Sequence, residues 1–162
     1  MTDASDFQFH RERKKEKTEK IEEIQVWLKG VIGENKSTWA FVYIDGKKDI
    51  TFVSGESDIV NKERLQLVPV IEFLEWIGNE RKRTITFYTE SNYLVNVLNE
   101  WIDKWRKTQF KLPDGTDRPN ADFLRKIESL RLYNTIIMKH QFAKNEFTEK
   151  VDDLCYTELT RS

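Results

Sequence analysis

Among the 28 acidic residues of this chain, one stands where a side chain can do chemistry. Glu90 stands where an extended run, Thr84-Ile85-Thr86-Phe87-Tyr88-Thr89, gives way to the cap-forming pair Ser91-Asn92 and a helical run from Tyr93. A carboxylate at the carboxyl end of a strand is where open α/β sheets place their ligands. Asp152 and Asp153 form a second acidic point, inside a helical pattern made by Val151, Leu154, Cys155 and Leu159. Cys155 is the single cysteine, which excludes an intramolecular disulfide and a cysteine-based zinc site, and with His10 and His140 as the two histidines no common zinc site is expected.

The elements that must position these groups follow from apolar periodicity. Ile24, Val26 and Leu28 alternate with Gln25, Trp27 and Lys29, which predicts a first strand with Trp27 and Lys29 on one face and a turn at Gly30. Trp39–Ile44, Asp45-Gly46 and Ile50–Val53 read as an antiparallel hairpin, because Asp-Gly suits a tight turn of positive φ. Ser54–Asp58 reads as a loop. Asn61–Ile77 is apolar on nearly every side and predicts a central buried helix, with Pro69 as a candidate kink. After the strand ending at Glu90, a helix over 91–99 continues through Trp101, Ile102 and Trp105 to Lys107. Gln109–Pro119 reads as a projecting loop, then Asn120 caps a helix carrying Phe123, Leu124, Ile127 and Leu130. Tyr133–Met138 is a last strand and Asn145–Leu159 a last helix. Three antiparallel strands followed by βα units give an α/β fold with a mixed five-stranded sheet flanked by helices.

A chain of 162 residues fits one domain, here 21–162, preceded by a charged tail over 1–20 in which Arg11, Arg13, Lys14, Lys15, Lys17 and Lys20 mix with three glutamates. The net charge of −1 argues against holding a polyanion by bulk charge, so nucleic-acid binding would need a local basic patch. No stretch approaches a membrane span and the first residues lack the apolar segment of a signal peptide, so the sequence predicts an intracellular protein with no membrane partner.

The element order and the stretch Tyr88–Asp122 resemble the type 1 ribonuclease H family. Tyr88-Thr89-Glu90-Ser91-Asn92-Tyr93 is similar to its Y-T-D-S-x-Y motif, Glu100–Trp105 to its W-I-x-x-W helix, and Lys111–Asp122 to its W-K-x-x-D-G-x-x-x-x-N-x-D segment. The resemblance implies a ribonuclease H-like fold. It also implies a position for each of four carboxylates that, in the family, hold two Mg²⁺ and hydrolyse the RNA strand of an RNA–DNA hybrid. Here those positions fall on Lys29, Gln66, Glu90 and Asp152, so two of the four acids are absent. Tyr43-Ile44-Asp45-Gly46 resembles the family's first-strand motif, but it lies too close to Gln66 to leave room for the hairpin.

His140 matches the family's mobile histidine, although Gln141-Phe142-Ala143 replaces the expected glycine-rich loop. Asn61, Ser91 and Asn92 match hybrid-contacting positions and also read as helix caps. Lys104, Arg106, Lys107 and Lys111, set among Trp101, Trp105 and Phe110, match a basic protrusion that grips the hybrid; the tryptophans read equally well as core. The resemblance thus implies a catalytically degenerate ribonuclease H-like module. It would bind an RNA–DNA hybrid or double-stranded nucleic acid, or serve as a structural piece of a larger assembly with protein partners. No metal or other cofactor is then expected. The alternative is an active hybrid ribonuclease using Mg²⁺ or Mn²⁺ at a rearranged site around Glu90 and Asp152, with Asp153 or Glu149.

Overall fold

Residues 21–161 are described by a computed structural model. The charged segment 1–20, with His10, lies outside the described residues. The elements run β1 (Glu22–Ile32), β2 (Ser37–Ile44), β3 (Ile50–Ser57), α1 (Lys62–Ile77), β4 (Arg83–Thr89), α2 (Asn92–Asn96), a π-helical turn (Val97–Trp101), α3 (Ile102–Arg106), α4 (Ala121–Arg131), β5 (Thr135–His140) and α5 (Glu146–Thr160). The sheet order is β3-β2-β1-β4-β5, with β1 antiparallel to β2 and parallel to β4. The mixed five-stranded sheet is the one that the element order predicts.

Alternation along the strands splits the sheet into two unlike faces. Ile24, Val26, Leu28, Phe41, Ile85 and Phe87 are all but inaccessible and form the main core with Leu67, Val70 and Phe73 of α1. Phe73 meets Phe41 and Phe87 edge-on at centroid distances of 5.4 and 5.5 Å. Each such ring contributes on the order of 2–3 kcal/mol by burial, so this face holds α1 and the sheet together. The opposite face carries a smaller cluster: Trp27 stacks between Tyr88 at 4.8 Å and Phe147 at 4.2 Å, with Val42 and Val151 beneath. That cluster seats α5 across β1, one residue away from Asp152.

Several boundaries differ from the sequence expectation, each for a visible reason. Gly30 makes no turn; β1 runs on to Ile32, and the glycine is needed because a Cβ there would lie 2.9 Å from Leu65 Cγ. Ser54–Ser57 belong to β3 because they pair with β2 out to Ser57 opposite Ser37. The last strand begins two residues later than expected, after a turn closed by Asn134 N donating to Arg131 O, with Tyr133 left exposed. Pro69 lies inside a continuous helix, packed among buried neighbours. Asp45 holds the hairpin turn, its Oδ1 accepting from Lys47 N at 2.8 Å and Asp49 N at 3.0 Å.

The predicted helix after Glu90 is interrupted by one wide turn. That π-turn presents Asn99, whose side chain accepts from Met138 N (3.1 Å) and donates to Met138 O (2.8 Å) on β5. A wide turn inserts a residue into a helix and so re-aims its side chains. The predicted projecting loop is instead a compact hairpin. Lys111 bridges Asp117, Arg118 N donates to Phe110 O at 2.9 Å, and Phe110 is buried in the main core as its anchor.

Candidate functional site

Four elements deliver charge to one point. Trp27 of β1 pairs in parallel with Tyr88 of β4, and the same register two residues on brings Lys29 beside Glu90, just past the end of β4. Helix α5 adds Asp152. The link from β5 adds Lys144, held directly before the capping box in which Asn145 Oδ1 accepts from Phe147 N and Thr148 N while Thr148 Oγ1 accepts from Asn145 N. Lys29 Nζ donates to Asp152 Oδ1 at 2.6 Å and lies 4.0 Å from Glu90 Oε2. Lys144 Nζ donates to Asp152 Oδ2 at 3.0 Å and lies 3.8 Å from Glu90 Oε1. Two ammonium groups and two carboxylates therefore alternate around a ring.

The electrostatics follow from that ring. Burial alone would lift the Asp152 carboxyl, but hydrogen bonds from Lys29 and Lys144 and their charges outweigh it and hold the group below the usual carboxylate range. Burial likewise works against the Lys29 ammonium, and the hydrogen bond to Asp152 with the charges of Asp152 and Glu90 leaves its pKa raised. For Lys144 the hydrogen bond to Asp152 comes first and also shifts it upward. Both lysines stay charged through the physiological range. The Cys155 thiol, 3.7 Å from the Lys29 carbonyl, is pushed up to about 12 by burial and is chemically quiet.

Lys29, Gln66 and Glu90 line one groove of about 600 Å³ together with Gly30, Lys62, Glu63, Ser91, Asn92, Tyr93 and Tyr156. Gln66 is 8% exposed and donates from Nε2 to Gly30 O at 3.1 Å. The four positions singled out in the sequence are thus brought together, Asp152 through its bond to Lys29. Ser91 caps α2, accepting from Leu94 N, and Asn61 caps α1, accepting from Arg64 N. Asn92 lies exposed on the groove wall. His140 ends β5 with its ring 4.9 Å from that of Phe142 and takes no part in the ring of charges. Asp153 and Glu149 are exposed and make none of these contacts. Lys144 was not anticipated; its signal in the sequence is a lysine directly before the cap of the helix that carries Asp152.

The second surface is built around the π-turn. Trp101 and Trp105 lie 5.5 Å apart and, with Tyr93, Asn96, Glu63, Arg118, Pro119 and Asn120, line a groove of about 380 Å³. Glu63 and Tyr93 line both grooves, so the two are contiguous. Trp105 packs on the core under the Arg118 guanidinium at 4.9 Å, whereas Trp101 is 38% exposed. The tryptophans therefore divide between the two expected roles. Arg106 is tied to Asp103 and Glu128, and Lys111 lies 3.4 Å from Asp117. Lys104 and Lys107 make no ion pair among the described residues. Arg64 forks onto Asp122 at 2.8 and 2.7 Å and stacks on Phe123 at 3.7 Å, so these motif residues join α1 to α4.

A family model described as RNase H matches residues 12–155. The chain belongs to the RNase H family. It is 29% identical over 150 residues to the ribonuclease H of Thermoanaerobacter sp. (strain X514), a match covering 88% of this chain and 93% of that protein. To the ribonuclease H of Francisella philomiragia subsp. philomiragia it is 28% identical over 104 residues, covering 63% of this chain and 67% of that one. Among solved structures, LC9-RNase H1, a type 1 RNase H with the type 2 active-site motif, matches with a TM-score of 0.68 at 18% identity, covering 85% of this chain and 72% of that chain. LC11-RNase H1 in complex with RNA/DNA hybrid gives 0.62 at 14% identity, covering 84% and 96%. The foamy viral protease-reverse transcriptase in complex with RNA/DNA hybrid gives 0.67 at 16% identity over 86% of this chain, which spans 20% of that protein's chain. The RNase H fold is common to all three. Among the described residues no helix is long and apolar enough to cross a membrane.

Proposed function

We propose that this RNase H family member is a catalytically degenerate module that binds an RNA–DNA hybrid or duplex. The observation that carries the reading is the Lys29 ammonium, 2.6 Å from Asp152 and 4.0 Å from Glu90. Two Mg²⁺ do not fit this donor set. A divalent ion about 4 Å from Lys29 would be opposed by roughly 8 kcal/mol at an effective dielectric near 20, where an aspartate would favour it by a similar amount. Gln66 brings no charge, and its amide is already turned to the Gly30 carbonyl. Among the described residues no group of three or more His, Cys, Asp or Glu is arranged to hold a metal. Lys29 and Lys144 instead neutralise the two remaining carboxylates from within the chain.

The binding part of the reading is supported by the contiguous grooves, by the exposed Trp101 that lines the second of them, by the exposed Lys104 and Lys107 that follow it in the chain, and by relatives named ribonuclease H. The test is cleavage of a labelled RNA–DNA hybrid in Mg²⁺ or Mn²⁺. Wild type is expected to show no turnover, and the double variant Lys29→Asp with Gln66→Glu to acquire it. Robust wild-type turnover abolished by Glu90→Gln would instead establish an active nuclease with a rearranged metal site. An assembly role without nucleic acid predicts weak, nonspecific hybrid binding and a stable complex with protein partners.

A further inference from the structure

The ring of charges has a property that a site of carboxylates lacks: its formal charge is zero. Lys29 and Lys144 supply two positive charges against Glu90 and Asp152. A cluster of acids repels a phosphate backbone until cations are bound, but a neutral ring has no such requirement. The two lysines are also unequal. The Lys29 side chain is 24% exposed and hydrogen-bonded to Asp152, so it acts as an internal counter-charge. The Lys144 side chain is 58% exposed, on the link between β5 and α5; it donates to Asp152 at 3.0 Å and its contact with Glu90 is a loose 3.8 Å. Lys29 lines the groove with Lys62, Ser91, Asn92 and Tyr156, all able to donate hydrogen bonds to an anion, and Lys144 reaches that lining through Glu90.

We infer that this groove is a metal-independent site for a phosphodiester of the bound nucleic acid, with Lys144 as the contacting residue. Lys144 gives up its contacts with Glu90 and Asp152 and donates to a phosphate oxygen, while Lys29 stays on Asp152 and balances one of the two carboxylates. The inference rests on the hybrid-binding reading above and goes beyond it, assigning a ligand contact to a residue outside the protrusion and removing any requirement for a divalent ion. Asp152 and Glu90 both become competitors of the phosphate for Lys144, and of the two Glu90 is the one that Lys29 holds less tightly. Its neutralisation is therefore expected to tighten binding.

The experiment is fluorescence anisotropy of a labelled RNA–DNA hybrid, titrated at matched ionic strength in EDTA and in Mg²⁺. Wild-type affinity is expected to agree within about twofold between the two buffers. Lys144→Gln should weaken it about five- to tenfold in both and lower the salt slope by about one counterion, while Lys144→Arg keeps the wild-type value. Glu90→Gln should strengthen it about threefold or more. Thermal melting of each variant checks that the fold is intact. Binding that collapses in EDTA overturns the inference, as does an unchanged affinity for Lys144→Gln when Lys104→Ala/Lys107→Ala weakens it; in both cases the hybrid-binding reading stands. If wild type binds no hybrid even at low salt, the reading and the inference fall together.

Discussion

The groove and the protrusion both carry lysine, arginine and acid in quantity, yet they use them in opposite ways. In the protrusion the pairs are near neighbours in the chain or on adjoining helices, as Arg106 with Asp103 and Glu128 and Lys111 with Asp117, and all are well exposed on at least one side. Such pairs contribute little, typically below about 1 kcal/mol. In the groove the partners come from β1, the end of β4, the link after β5 and α5, and Lys29 and Asp152 are each only about a quarter exposed. The protrusion thus holds its pairs at the surface and leaves Lys104 and Lys107 without an ion pair among the described residues, while the ring of charges ties four elements together. The same residue types make a surface in one place and an internal counter-ion in the other.

The sharpest way to break this contrast is to reverse Lys29. Lys29→Asp would set a third carboxylate against Glu90 and Asp152, with an expected loss of about 3 kcal/mol without metal, and a melting temperature that rises with added Mg²⁺ where that of wild type does not. A variant whose melting ignores Mg²⁺ would show that the groove's geometry, and not its lysine, excludes cations. Next in size is Asn99→Ala, which removes two hydrogen bonds to Met138 and should cost about 1–2 kcal/mol by chemical denaturation, with faster exchange of the Met138 amide.

The Lys29–Asp152 coupling, read by a double-mutant cycle, is expected at about 1 kcal/mol after allowance for solvent screening. Its pH dependence has a definite sign. The Asp152 pKa is lowered in the folded state, so its contribution is present above the unfolded carboxylate value near 4 and is lost as pH falls through the lowered folded value. The Lys29 pKa is raised, so its contribution is present below the unfolded value near 10.4 and is lost as pH rises through the higher folded value. The coupling should therefore be flat between about pH 5 and pH 9 and vanish at the acid end first. Smallest of all, Arg106→Ala on the exposed protrusion should change stability by about 0.5 kcal/mol or less.

What was legible in the sequence follows the same division between local and distant causes. The antiparallel hairpin, the strand leading to Glu90 and the caps at Asn61 and Ser91 rest on residues a few positions apart and appear as expected, whereas the hairpin's positive φ falls on Lys48 and not on Gly46, and Asn120 makes no side-chain cap. Gly30 was misplaced because the reason for a glycine there is Leu65 on another element, not a turn in its own. The π-turn is invisible to periodicity, since its occasion is the backbone of Met138. Lys29, Gln66, Glu90 and Asp152 were brought together by resemblance to a family pattern. Lys144 belongs to no such pattern and pairs with Asp152, eight residues on, only once α5 has been seated by Trp27 and Phe147.

The side chain of Asn99 also bears on how copies of this molecule meet one another. β5 is an outer strand of the sheet, and the outward donor and acceptor of an outer strand are an invitation to a strand from another chain. At Met138 that invitation is withdrawn, because a helix from the same domain has already answered both groups. The opposite edge, β3, presents Ile50 and Phe52 half exposed. Strand addition on the β5 edge is thereby blocked at Met138, whereas the β3 edge carries two half-exposed apolar side chains.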